Sequence, residues 1–291
     1  MRIRRLIQKK TKKFIIKKLS NNFSTLFQAY NLSKTNFCNI NNVKIKFFKN
    51  TSLAKKGEVL HLKIDGQILP KIIETGKFDD FLFNFLNKNL KENSLFIDVG
   101  ANHGLVSKQV SNLKKIKKII TFEPVKDIYE LSLLNLKNKK YIEQFNYGWS
   151  KNNNKYPLYE NPANSGDYSL IPNKQRNIKH IFNFKNANNI LNKITKKNKK
   201  LSLILKTDCQ GYDIELFNSI EDKYLKLLSI YFLECKEIKN KQKTLFEKKI
   251  KFFKKIFVSC PLIHSDVKQI KLPDLEKYFN YKVEFDLILM Q

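Results

Sequence analysis

The sequence predicts a doubly wound α/β fold: a mostly parallel sheet with an antiparallel edge strand, preceded by a basic N-terminal extension. Three observations carry this reading. From about residue 94 onward, short apolar runs alternate with stretches of helical periodicity, as in parallel strands joined by crossover helices. Two of those runs, "FIDVGANHG" and "LILKTDCQGYD", end in an acid followed by a glycine and a helical stretch. Strand-to-helix turns that hold ligands at the carboxyl edge of such a sheet are built this way. The chain has 291 residues, 42% of them hydrophobic, enough to bury a core of that size.

Taken in order, residues 1–57 form the extension and 58–291 the domain. The extension is dominated by charge, with "VKIKFF" as its one strand candidate. "EVLHLKIDGQ" alternates like a hairpin arm, with Asp65-Gly66 as its turn signal. "PKIIETG" connects it to a helix in which Phe78, Phe81, Leu82, Phe85 and Leu86 recur at helical spacing. Strands are then predicted over 94–99, 118–123, 142–146, 201–208 and 228–234, and helices over 105–113, 124–136, 212–220 and 244–254. Residues 150–179 read as an irregular insertion, and "YKVEFDLILM" closes the chain as the antiparallel edge strand.

The formal charge of +30 points first to nucleic acid or an anionic membrane. Its make-up argues otherwise, because 52 of the 56 basic residues are Lys and Arg stands only at positions 2, 4, 5 and 176. With 33 Asn alongside, this looks like a codon bias toward A and T. A surface selected to grip phosphates would use the bidentate fork of Arg. Half the excess lies in residues 1–57, which hold 15 basic residues and no acid. Within residues 2–20, Ile3, Leu6, Ile7 and Phe14 share one helical face, as in an interfacial helix on an anionic membrane, whereas Ile16 and Leu19 fall off it. A solvated basic extension is the plainer alternative.

No apolar stretch approaches the roughly 18 residues that span a bilayer, and "FII" is too short for a signal-peptide core. The chain therefore reads as cytoplasmic, with a peripheral place at the inner membrane face if the arm docks. Cys38, Cys209, Cys235 and Cys260 lie far apart without a CxxC pair, so neither a zinc knuckle nor a disulfide frame is indicated.

Asp98, Gly100, Ala101, Asn102 and Gly104 fall where a doubly wound sheet binds ligands. Gly100 permits a sharp turn, Gly104 a close helix approach, and the helix amino end offers free N–H groups. Asn102 stands where a dinucleotide site would have its second glycine, and an acid at the first strand end suits a cationic ligand better than a diphosphate. That combination favours S-adenosyl-L-methionine over NAD. Glu123, 19 residues after Gly104, closes the next strand and can accept both ribose hydroxyls, with Pro124 in the first turn of the following helix. His103 reads as a loop residue with a local hydrogen bond rather than as a catalyst.

On the substrate side, Asp208 ends its strand facing the same cleft and is the catalytic candidate. Lys206 lies on the same side of that strand, able to pair with an acid, while Asp213 and Glu215 sit in a helical first turn that favours acids regardless of function. Glu234 and His264 are looser substrate-side candidates. No metal is expected; a minority reading has Asp208 holding one with Glu234 or Asp213.

Together these residues resemble the FkbM-type S-adenosylmethionine-dependent methyltransferases. "FIDVGANHG" resembles the cofactor loop, "FEP" the ribose-binding strand end, "LKTDCQGYD" the K-x-D-x-[EQ]-G-x-E segment, and "SGDYSL" an insertion ending in Ser-Leu. Asp213 replaces the usual Glu, and "FKNAN" lacks the aspartate of a T-L-D element. The resemblance implies a Rossmann-like class I methyltransferase fold and O-methylation of a sugar, glycan or glycosylated metabolite. Two rivals remain. A nucleic-acid methyltransferase would need a D/N-P-P-Y/F element or a nucleophilic Pro-Cys pair, and neither is present. A catalytically lapsed protein of the same fold would not need Asp98, Glu123 and Asp208 together.

Overall fold

The computed structural model describes residues 27–30, 42–47, 50–63, 65, 67–137, 139, 141–161, 164–172, 178–263 and 266–291. The basic segment 2–20, Cys38 and His264 lie outside these residues. Three strands, β1 (Phe27–Tyr30), β2 (Asn42–Phe47) and β3 (Val59–Lys63), form a small antiparallel sheet. β2 and β3 pair across position 57, so the boundary expected there between extension and domain runs through one sheet. Alternation decides its buried face: Val43, Ile45, Phe47, Leu60 and Leu62 point into one cluster. Gly66 of the expected Asp65-Gly66 turn lies outside the described residues, and the next described element is a helix rather than a second hairpin arm. The Asp65 carboxylate instead accepts the N–H groups of Gln67 and Leu69 at the start of helix α1 (Ile68–Thr75), within the stretch expected as a connector.

After α2 (Asp80–Asn89), the central sheet begins. It contains β4 (Ser94–Val99), β5 (Ile116–Phe122), β6 (Ile142–Phe145), β11 (Ser202–Thr207), β12 (Leu228–Cys235), β13 (Lys255–Ser259), β14 (Lys268–Ile270) and β15 (Phe285–Met290). The lateral order is β14-β13-β15-β12-β11-β4-β5-β6, parallel from β12 to β6. Helices α3 (Leu105–Val110) and α4 (Lys126–Leu136) cross between the parallel strands. The carboxyl-terminal half adds α5 (Ala187–Lys197), α6 (Asp213–Ser219), α7 (Asp222–Leu225), α8 (Asn240–Ile250) and α9 (Leu275–Asn280). Two apolar clusters, one on Trp149, Leu205, Phe217 and Tyr231 and one on Phe85, Phe96 and Ile204, are the core on which the sheet is built.

Two expectations change. β15 does run antiparallel, but it lies between β12 and β13; the antiparallel edge is β14. The insertion is not irregular. β7 (Gly148–Ser150), β8 (Asn154–Glu160), β9 (Tyr168–Ser169) and β10 (Ile178–Asn186) form a second sheet, ordered β7-β10-β8-β9. Strand order in the main sheet reverses between β4 and β11, and a doubly wound sheet opens its ligand crevice there.

Candidate active site

The chain leaves β4 through Gly100, at φ +75°, and a side chain there has no room. A Cβ on Gly100 would stand 2.0 Å from the carbonyl oxygen of Asp208. β4 and β11 thus run backbone against backbone at their ends, bringing Asp208 beside the first loop. Gly104, at φ +74°, lets α3 approach α4, since a Cβ would meet Ser132 Oγ at 2.6 Å and Leu136 Cδ1 at 2.9 Å.

Glu123 fixes that loop to the next strand. Its carboxylate accepts the N–H of Asn102 at 2.9 Å and that of Val125 at 2.8 Å. Burial pushes Glu123 up to about 7, against those two hydrogen bonds, with Asp98 and Asp208 adding to the rise. Each oxygen keeps a further lone pair for a ligand.

Asp98 and Lys206 stand opposite each other in the β4–β11 register, and both are buried. Lys206 Nζ lies 3.2 Å from Asp98 Oδ1 and 3.5 Å from Asp208 Oδ2, while Ser107 Oγ donates to Asp98 Oδ2 at 2.7 Å. Burial by itself would lower the Lys206 pKa, but Asp98, Asp208 and Asp79 outweigh it and hold the ammonium protonated. Asp98 consequently lies beneath the cavity and outside its lining, a counter-ion to Lys206 more than a wall. Asp208, by contrast, is 34% exposed, and its Oδ1 accepts from Gln210 Nε2 at 2.9 Å.

Gln210, in the left-handed region at φ +51°, was not singled out by the sequence although it stands in the quoted segment. Its Nε2 reaches Glu234 at 3.3 and 3.4 Å as well, so one amide clasps two carboxylates. Burial, then Asp208 and Asp213, push Glu234 well above the usual carboxylate range. Asp213 is fully buried and turned away from the cavity: it accepts the Cys209 N–H at 2.9 Å and tethers the loop, and burial followed by Asp208 raises it to about 7. Among the described residues no three His, Cys, Asp or Glu side chains are grouped to hold a metal ion. His103 is buried, and its Nε2 accepts the Lys63 N–H at 3.1 Å; burial depresses it to about 4.

These walls enclose a cavity of about 380 Å³, within the range of small-molecule sites. Gly100, Ala101, Asn102, Glu123 and Pro124 line one end, and Lys206, Asp208, Gln210 and Glu234 the other. The insertion covers it. Asn102 Nδ2 donates to the Ser165 carbonyl at 3.0 Å, the Ser165 hydroxyl bonds Asp65, and Ser169 Oγ donates to the Gln210 carbonyl at 2.7 Å. Residues outside the expected site complete the lining, including Lys71, Phe78 and Trp149, which stand in no motif, with Tyr168 and Tyr212 from two of the quoted segments. Trp149 had a weak signal as the chain's single Trp, and its buried indole N–H has no partner among the described residues. Where the usual T-L-D aspartate is missing, Asn186 caps α5 by accepting the Asn189 N–H at 2.9 Å, a task Asn and Asp do equally well.

A cavity with a carboxylate at each end and an orphaned buried donor in its wall suits a cation-bearing nucleoside. Glu123, Asn102 and Pro124 would hold the nucleoside. Among solved structures, a Streptococcus mutans methyltransferase candidate with S-adenosylhomocysteine bound is 14% identical over 72% of this chain and 96% of that one, at a TM-score of 0.39. An rRNA methylase of Streptococcus thermophilus is 11% identical over 72% and 93%, also at 0.39. A Streptococcus pneumoniae protein named as a candidate tRNA (m1A22) methyltransferase, with S-adenosyl-L-methionine bound, is 11% identical over 72% and 71%, at 0.38. No curated protein matches the sequence. The family model described as the methyltransferase FkbM domain matches residues 98–256, from the acid at the end of β4 to β13. With more than half its length matched, the chain belongs to the FkbM family of methyltransferases, enzymes that use S-adenosylmethionine.

Proposed function

We propose that the protein methylates a hydroxyl oxygen of a sugar on a glycan, glycolipid or glycosylated metabolite. The observation that carries this reading is Asp208: a partly exposed carboxylate held on one oxygen by Lys206 and on the other by Gln210, beside the cofactor loop. The cofactor supplies an electrophilic methyl group on its sulfonium. A sugar hydroxyl is a far weaker acid than a carboxylic acid. Asp208 therefore does not ionise the acceptor beforehand. It orients the hydroxyl and takes its proton as the new carbon–oxygen bond forms, with alignment supplying much of the rate.

The neighbours suit that task. The Lys206 ammonium anchors Asp208 without competing for the incoming proton, because Asp98 holds it protonated from the other side. Burial beside Asp208 favours the protonated form of Glu234, which has an O–H to offer a second acceptor oxygen. Asp208→Asn is expected to retain cofactor affinity in calorimetry and lose at least tenfold in turnover; undiminished turnover removes Asp208 from the chemistry. For the acceptor class, mass spectrometry of the organism's surface glycans with and without the protein should reveal loss of one CH2 increment. Unchanged glycans, with a methyl lost from RNA instead, overturn the sugar reading.

A further inference from the structure

Side-chain alternation gives β8 and β10 of the second sheet two faces. In the β8–β10 register, Tyr156 pairs with Phe182 and Leu158 with His180, and the apolar members of this face pack with Phe184 against Val125 and Ile128. Residues one position out of phase point the other way. Lys155 stands opposite Asn183, and Lys185, two residues further along β10, stands opposite Trp149 of β7. Lys155, Asn183 and Lys185 line an open groove of about 920 Å³ that β6 and α5 complete.

Its chemistry is one-sided. Five lysines line it, Lys118, Lys155, Lys185, Lys193 and Lys197, against a single acid, Glu143, which Lys118 already neutralises at 2.7 Å. None of the other four is in an ion pair with a described residue. Lys193 and Lys197 lie one helical turn apart on α5, about 6 Å along the axis. Lys185 Nζ sits 4.0 Å over the Tyr147 ring, and Phe145 is 36% exposed beside it, stacked on Phe122. The amides of Asn183 and Asn189 fill the intervals. Fixed cations spaced along a trough, with amides and an aromatic platform between them, match a ligand that alternates anions with hydroxyl-bearing apolar rings.

We infer that this groove is a second binding site, for a glycan bearing carboxylate or phosphate groups, which it holds while a sugar hydroxyl is presented elsewhere. Anion binding follows from the groove alone; the choice of a glycan rests on the acceptor class proposed above. Arg is absent from the lining, and no ladder of exposed rings is present to stack successive bases, which sets the groove apart from a single-stranded nucleic-acid channel.

Binding without cofactor tests the groove separately from methyl transfer. The full chain would be titrated with a galacturonic acid hexamer, a maltohexaose phosphate, neutral maltohexaose and a 12-nucleotide single-stranded RNA. Three exposed lysines would be reversed together, Lys185→Glu, Lys193→Glu and Lys197→Glu; a control on α8 and the residue before it reverses Lys239→Glu, Lys241→Glu and Lys248→Glu. At least one acidic glycan should bind at least tenfold more tightly than maltohexaose. The groove variant should lose at least tenfold in that affinity with a shallower salt dependence, while the control and the affinity for S-adenosylmethionine stay unchanged. Equal losses in both variants mean diffuse surface charge and overturn the site. So does failure of both acidic glycans, or RNA binding more tightly than either and being lost in the groove variant. Acidic-glycan binding that persists when no glycan is found to be methylated upholds the groove and sinks only the acceptor reading.

Discussion

Glu123 carries two tasks that oppose each other. As a buried carboxylate it is raised to about 7, so its contribution to folding stability is fully present below the ordinary value near 4.5 and is lost as pH rises through 7. As an acceptor for both ribose hydroxyls it must be ionised, and the ionised form prevails only above 7. Affinity for S-adenosylmethionine is therefore expected to climb about tenfold between pH 6 and pH 8 and then level off. Calorimetry over that range checks it. Glu123→Gln should weaken binding at pH 8 by at least tenfold and abolish the slope; a slope that survives the substitution assigns the titration to another group. The Asn102 and Val125 N–H groups that Glu123 holds remain within reach of the Gln carbonyl oxygen for one bond only, so part of the loss reflects a looser loop.

At the scale of elements, the crossing of β4 and β11 is the tightest constraint. Gly100→Ala sets a Cβ 2.0 Å from a backbone oxygen and also strains φ, whereas at Gly104 the obstacles are the Ser132 and Leu136 side-chain tips. Gly100→Ala is expected to cost about 3 kcal/mol or more in urea denaturation, and Gly104→Ala less. Equal costs would mean that the two strand ends are not locked together. The glycine and the acid of that crossing were legible because parallel strands buried on both faces read as unbroken apolar runs, as in β4, where every residue is buried. Lateral order was not, because local pattern does not say which strands pair; β15 therefore read as an edge although β13 covers its far side. Pro70 made α1 look like a connector, yet a proline in a first turn removes no helical hydrogen bond. The second sheet escaped notice because its strands carry Asn and Lys on one face. Asp98 was placed at the right strand end, but its burial follows from the Lys206 register, which only the folded sheet reveals.

Across the whole molecule, charge is divided by sign. Asp208, Glu123 and Glu284 line a cavity that Lys71 and Lys206 also line, in a chain whose formal charge is +30, so acids that suit a cationic cofactor are gathered inside a protein whose net charge attracts anions. Residues 2–20 concentrate that charge, with nine basic residues and no acid. Near an anionic lipid surface each is worth roughly 1 kcal/mol, and the attraction decays within a Debye length of about 8 Å at physiological salt. If the segment docks on membrane, the full chain should sediment with phosphatidylglycerol vesicles at low salt, not with phosphatidylcholine vesicles, and should be released as salt is raised. Deletion of residues 2–20 should then remove most of the sedimentation without changing S-adenosylmethionine affinity, since the residues assigned to the cofactor, from Gly100 to Pro124, lie elsewhere in the chain. Sedimentation that is equal with and without the segment assigns the attraction to the lysines of the folded domain and leaves the extension without a membrane role.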